Sequence, residues 1–466
     1  MHWIMKSPRE LLGIICLGCF VTLPPFCVSA AEAPPRVLTR LIFQDDDAKT
    51  LKWADVLAGD PPRLGPIATI AGFPQLDAER QSLVQMEAAS GLILVGVRDD
   101  DDGQFQSGWI LVETGVDAEE HGDHFHWSYP RTPTVRAQVL DQQQGNPAHL
   151  YAYDGVFYLA NDRKNGFTRL DPKSISPQDD AATISQRAAI HAGGGGHITL
   201  AATGNRVAYS TWIDRDGANK GRVDVTPLSA QGTTQPGYSF HLPSGGIHGA
   251  VANQGKVFFA PSDGICWVNA DLSLQDDPKN IAIQHVSLGK DGERPRRTGA
   301  FTTFGHHVVF VAGTGPQAEV GFIDARGKDI QMSRLSVPMS EGNRPSGLQI
   351  VQPRKGPLLA CVFHDHAADI EAPYRLSLLE VDPNRDGNWA DAKIGTELEI
   401  GRARVDGHAG HHSLAFDADR RWAIFSNPGD GTLSVLDLGS RKLVTEFQVS
   451  GVPSKLMAQG GRASGH

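Results

Sequence analysis

Apolar residues in this chain fall in short alternating runs, each closed by Gly, Pro, Asn or Asp. The last hundred residues show the unit best. His412-Ser413-Leu414-Ala415-Phe416 is followed by the turn Asp417-Ala418-Asp419-Arg420, then by Trp422-Ala423-Ile424-Phe425-Ser426. A second turn, Asn427-Pro428-Gly429-Asp430-Gly431, leads into apolar-polar alternation over Thr432 to Leu438 and Leu443 to Val449. A period of two over segments this short predicts strands, not helices. Four such strands in about 40 residues make one blade of a β-propeller.

The first strand of this unit recurs at Ser82-Leu83-Val84, His149-Leu150-Tyr151, His197-Ile198-Thr199, His248-Gly249-Ala250, Ala300-Phe301-Thr302, Gly347-Leu348-Gln349 and His412-Ser413-Leu414. Ser454-Lys455-Leu456-Met457 is an eighth copy, at the C-terminal end. The N-terminal strands Val37 to Phe43, Thr50 to Val56 and Ile67 to Ala71 lack a first strand of their own. A C-terminal strand that completes this blade would close the ring and leave no open edge. The expected fold is therefore all-β, a single propeller over residues 31–466, with eight blades or, if one has been split in two, seven. Two spacings near 65 residues point to insertions, near 114–135 and 364–387.

Composition agrees: 51 Gly and 29 Pro, spread along the chain, suit many turns. The net charge of −10 argues against nucleic acid or anionic lipid as a partner. Lys6 and Arg9, the apolar stretch Leu11 to Val21 and the small residues of Val28-Ser29-Ala30 read as a signal peptide over residues 1–30. The apolar stretch is too short to be a good membrane span. Export to the periplasm is the expectation, with no transmembrane segment in the mature chain. Cys16, Cys19 and Cys27 fall within the signal. Cys266 and Cys361 remain, and the sequence leaves open whether they pair. A thiolate zinc finger is excluded, so any metal site must use imidazole and carboxylate.

The histidines carry the chemical signal. His149, His197, His248 and His412 each open a first strand. First strands line the central channel of a propeller and begin at the same mouth, so residues far apart in sequence converge there. Converging imidazoles suit Zn²⁺ or Cu²⁺. A second group is local: His121-Gly122-Asp123-His124-Phe125-His126, in the first insertion, with Glu119 and Glu120 before it. In extended chain, residues two apart share a face, so His124 and His126 can address one ion. Asp123 and His121 would add ligands or orient the rings. The candidate metal set is thus His121, Asp123, His124, His126, His149, His197, His248 and His412, with the insertion as a lid over the channel mouth. A first-strand His can also serve only to bind a neighbouring blade's backbone, and a lone H-x-H is a weak signal.

Lesser groups are His364-Asp365-His366, a possible auxiliary site in the second insertion, His408 with His411 and His412, and the pair His306-His307 in a turn. Gly193 to Gly196, after His191, lacks the Lys-Ser/Thr of a phosphate loop and reads as a close backbone passage. Asp382 to Gly387 starts like a calcium loop, but its twelfth position is Lys393.

At these residues the sequence resembles the AztD family of periplasmic zinc metallochaperones. The matching positions are Glu120 to His126, Pro147-Ala148-His149, His197 after the glycine run, Gly246-Ile247-His248-Gly249, Ser262-Asp263-Gly264 and the Leu41-Ile42-Phe43 strand. The chain departs from the family pattern at Asp45-Asp46-Asp47, where an Asp-His pair is expected, and in having Cys266 without a nearby partner. The resemblance implies a β-propeller that binds Zn²⁺ and hands it to the solute-binding protein of a zinc ABC transporter. Copper is not excluded by the ligand types. No nucleophile motif or haem C-x-x-C-H is present, so the expectation is a carrier and not an enzyme. A metal-dependent propeller oxidoreductase or hydrolase, and a metal-free interaction propeller, are the alternatives.

Overall fold

The computed structural model describes residues 35–464, apart from 123, 230, 231, 233, 368, 369, 407 and 408. The expected signal peptide, Asp123 and His408 therefore lie outside the described residues. Among the described residues, no helix is long and apolar enough to cross a membrane.

Eight antiparallel sheets make eight blades. Blade 1 is built from both ends of the chain: Pro453–Gln459 is its inner strand, followed outward by Val37–Asp45 and Thr50–Leu57. The register pairs Ile42 with Met457 and Arg40 with Gln459. The ring is closed as the sequence requires, and the seven-blade alternative falls away.

The other inner strands are Gln81–Ala89, Pro147–Tyr153, Leu200–Thr203, Ala250–Asn253, Phe301–Phe304, Arg344–Val351 and Leu414–Phe416, for blades 2 to 8. Each begins within three residues of the start read from the sequence. The chain then steps outward. Second strands are the most enclosed, as in Val156–Asn161 and Trp422–Asn427, where every residue is buried. An outer strand such as Lys393–Glu399 is mostly exposed and mostly polar.

Packing closes the ring as well. Eight apolar clusters lie one at each junction between neighbouring blades. The junction of blades 4 and 5 joins Tyr209, Val225 and Phe240 to Phe259, Cys266 and Val268. The junction of blades 8 and 1 joins Ile424 and Val435 to Leu41, Phe43 and Leu456. A fully buried side chain of this kind stabilises by about 1.5–3 kcal/mol, so every junction holds its two blades in fixed relative position. Cys266 and Cys361 are unpaired and buried, and burial pushes both thiols up to about 12.

The first insertion lies between the third and fourth strands of blade 2. It forms a hairpin of Asp117–Glu120 with Phe125–Ser128. The second stretch, 364–387, is not an insertion. His364 and Asp365 end the second strand of blade 7, Leu359–Asp365, and the third strand, Arg375–Glu380, falls inside it. Polar residues in a buried strand carry the look of a loop.

Candidate metal centre

Every blade meanders outward from its first strand, so all inner strands run the same way along the channel. Their N-terminal ends form one mouth. Three imidazoles meet there. His149 Nε2 stands 2.9 Å from His197 Nε2, which stands 3.2 Å from His248 Nε2. The three ligating atoms all lie within 4.8 Å of one another. Two nitrogens on one tetrahedral zinc, each bonded at 2.0–2.1 Å, are about 3.3 Å apart. The two short spacings, 2.9 and 3.2 Å, are near this value, and the geometry is compatible with one shared ion.

Each ring is placed by its own blade. In blade 3 the pairing shifts register between Pro147 and Leu150, a bulge that re-aims His149. Blade 2 shifts at the matching point, between Leu83 and Met86, and turns Gln85 toward the same spot. Gln85 Oε1 accepts from the Leu150 N–H at 3.0 Å, and its Nε2 stands 3.4 Å from His149 Nδ1.

His197 follows the glycine run, and the close passage expected of that run is present. A Cβ on Gly195 would sit 2.3 Å from the Trp212 ring, so only glycine allows the backbone through. Asp162 then fixes the segment twice: Oδ1 accepts from the Ile198 N–H at 3.0 Å, and Oδ2 lies 3.2 Å from His197 Nδ1. In blade 5 the His248 N–H bonds the Ala260 carbonyl at 3.0 Å, and His248 Nδ1 donates to the Gly299 carbonyl at 3.2 Å.

At His197 and His248 these partners set the tautomer. A proton held on Nδ1 by Asp162 or by a carbonyl leaves the Nε2 lone pair facing the centre. Burial pushes the His248 imidazole below its ordinary value, although the Gly299 bond works the other way. The neutral, ligand-competent form is thereby favoured. Several lone pairs aimed at one point repel one another unless protons or a cation lie between them. The centre opens on a cavity of about 570 Å³ lined by His149, His197, Arg98, His411 and Lys455. That side offers room for a further ligand.

His412 does not join this group. It is buried against Phe363, with Nδ1 2.5 Å from Asp365 Oδ1 and Nε2 2.9 Å from the Gly401 carbonyl. Both nitrogens are engaged, so it is a structural histidine of the junction of blades 7 and 8. Its neighbour His411 faces the mouth instead, with Nδ1 2.9 Å from the same Asp365 carboxylate. Strand parity carries the signal: His412 is in phase with Leu414, whose side chain is buried in that junction.

The local cluster lies elsewhere. His121 and His124 flank a turn closed by the His121 N–H on the His124 carbonyl at 2.8 Å, with Gly122 at φ +71°. His124 Nε2 stands 3.1 Å from His126 Nε2, and the His121 and His126 rings stack at 4.1 Å. His121 Nε2 is 3.4 Å from Glu119 Oε1. Trp127 pairs with Ala463, and the Tyr129 hydroxyl donates to the Gly461 carbonyl. His124, Phe125 and Trp127 line a cavity with Phe304 and Phe416, the last residues of two inner strands. The hairpin thus sits at the opposite mouth of the channel and is not a lid over His149, His197 and His248. A periodicity argument cannot say to which end an insertion folds.

His364 and His366 make no joint site. His364 Nε2 bonds the Ser377 hydroxyl at 2.8 Å, and both His366 nitrogens meet backbone carbonyls at 2.8 Å. The anchors Gln85, Asp162, Gly299 and Asp365 carry no sequence signal as such, because each acts across a blade junction.

No protein-family model matches the chain, and no curated protein sequence does. Solved structures do. Apo AztD from Citrobacter koseri superposes with a TM-score of 0.62 at 16% identity, over 92% of this chain and all of that one. A second Citrobacter koseri AztD structure gives 0.62 at 17% identity, with the same coverage. The fold is shared with AztD. The dihydro-heme d1 dehydrogenase NirN, in complex with DHE, is more distant, with a TM-score of 0.52 at 14% identity over 94% of this chain and 78% of that one. At these identities the likeness is one of fold, and AztD is the family to which the sequence resemblance points.

Proposed function

We propose that this chain is a periplasmic carrier of Zn²⁺, which it holds at His149, His197 and His248 and passes to the solute-binding protein of a zinc ABC transporter. The observation that carries this reading is the meeting of three Nε2 atoms, from three blades, at the spacing of one coordination sphere. The fold shared with AztD supports it. Three protein ligands leave a position open toward the mouth, through which a partner's ligand can enter before the others let go. A closed four-ligand site would trap the cargo. The hairpin imidazoles at the far mouth form a separate, exposed and weaker zinc-binding place.

Competition titration with a chromophoric chelator tests the reading. The chain should hold zinc far more tightly than its H149A/H197A/H248A variant, and copper should be titrated beside zinc because these ligands accept both. Equal affinity in the two proteins would end the proposal.

One observation favours a hydrolytic alternative. His411, oriented by Asp365, faces the same cavity as His149 and His197, and a carboxylate-held imidazole beside a three-His zinc with an open position can activate water. Zinc-dependent ester hydrolysis lost in His411→Ala would favour the enzyme. Zinc retention without turnover favours the carrier.

A further inference from the structure

We infer a second transition-metal site, built from His306, His307 and Asp324 on blade 6 and independent of the three-His centre. His306 lies in the turn between the first two strands of that blade, and its N-terminal neighbour Gly305 takes φ +57°. His307 opens the second strand, His307–Ala312, and pairs directly with Asp324 at the end of the third, Glu319–Asp324. The His306 carbonyl accepts from the Ala325 N–H at 3.0 Å, which holds the turn over the strand end. The three side chains each present a ligand atom within 4.8 Å of the other two.

Two details point to an ion here. His306 Nε2 is a buried atom with no hydrogen-bond partner, and the nearest carboxylate oxygen, Asp324 Oδ2, is 4.0 Å away. That distance is too long for a hydrogen bond. Two atoms on one tetrahedral ion stand about 3.3–3.5 Å apart, so a side-chain movement of under about 1 Å would bring this pair to coordination spacing. An unmatched buried nitrogen has a cost, and a bridging ion removes it. The second detail is rigidity. The His307 ring lies flat on Trp389, at 3.6 Å between centroids and 12° between planes, so it is held in place before any ion arrives.

Two imidazole nitrogens and one carboxylate oxygen suit a borderline divalent cation of the Zn²⁺ kind better than Ca²⁺ or Mg²⁺. The competitor is Arg326, which grips both Asp324 oxygens, with contacts of 2.6 to 3.2 Å. Its side chain is more than half exposed, so it can swing into solvent when a cation takes its place.

Co²⁺ and Zn²⁺ alone are the probes, and the background is the chain with alanine at positions 121, 124, 126, 149, 197 and 248. One Co²⁺ per chain should bind, with visible d–d absorption. Affinity should fall by tenfold or more in His306→Ala and in Asp324→Asn, in line with the usual effect of losing a metal contact. It should rise in Arg326→Gln, an outcome that a purely structural cluster does not produce. If the background chain does not fold, stoichiometry in the otherwise intact chain is the readout, with one ion fewer in H306A/D324N. No Co²⁺ bound, or binding indifferent to all three substitutions, would overturn the site. Because the three-His centre is absent from the background, failure here is distinct from failure of the carrier reading.

Discussion

Asp162 Oδ2 lies 3.2 Å from His197 Nδ1, while the other oxygen of the same carboxylate holds the Ile198 N–H. One buried side chain therefore fixes both the position and the tautomer of the His197 imidazole. Asp162→Leu should lower zinc affinity by about 10–100-fold. Asp162→Asn, which keeps the backbone bond, should lie between it and the native chain. Chelator competition reads both, and equal affinities in all three proteins would remove Asp162 from the site.

The hairpin gives a different expectation. Because His121, His124 and His126 sit at the opposite mouth from His149, His197 and His248, H124A/H126A should lower total zinc stoichiometry at high zinc and leave the tightest binding unchanged. A large loss of tight binding would show that the two clusters act as one.

Gly195 tests how the glycine run serves His197. The Cβ of Gly195→Ala would meet the Trp212 ring, so the substitution should destabilise the fold by about 1–3 kcal/mol and weaken zinc binding together. Thermal unfolding and zinc titration on one preparation would show whether the two effects travel together.

Most of the fold was legible in the sequence, because a period-two pattern repeated along the chain defines each blade and its inner strand. The meeting of His149, His197 and His248 followed from strand position alone. His412 was misjudged because the chain around it is extended, where adjacent residues face opposite ways, and it is His411 that looks into the channel. The hairpin's location depended on contacts of Trp127 and Tyr129 with the C-terminal segment, more than three hundred residues away. No local pattern encodes such contacts. The same holds for Gln85, Asp162 and Asp365, which act on histidines of another blade or another strand.

The part of the metal-free chain's stability that depends on His191 should fall on mild acidification. Burial, aided by Arg169, pushes the buried His191 down to about 4. The unfolded chain, with this ring near its ordinary 6.5, then binds the extra proton, so the native state loses stability as pH falls from about 6.5 to about 4, by up to roughly 3 kcal/mol. Glu87 and Asp417, each pushed up to about 7 by burial, act in the opposite sense over nearly all of this range. The measurement is therefore the difference between the native chain and His191→Gln. Denaturant unfolding should show a flatter pH dependence in the variant, and identical slopes would place the His191 proton elsewhere.

Zinc as cargo should leave under similar conditions. Protons compete for the imidazole nitrogens, and since burial holds His248 below its ordinary value, this ring resists protonation until the pH is under about 6.5. Dialysis at stepped pH should retain the ion at 7 and release it progressively below that value. Retention unchanged at pH 4 would point to ligands other than imidazole.

The most direct test is to locate the ion. Anomalous diffraction at the zinc edge, from crystals of the zinc-loaded chain, should place the strongest peak at about 2.0–2.1 Å from Nε2 of His149, His197 and His248 together. A strongest peak elsewhere, with these three rings turned away from one another, would contradict the account.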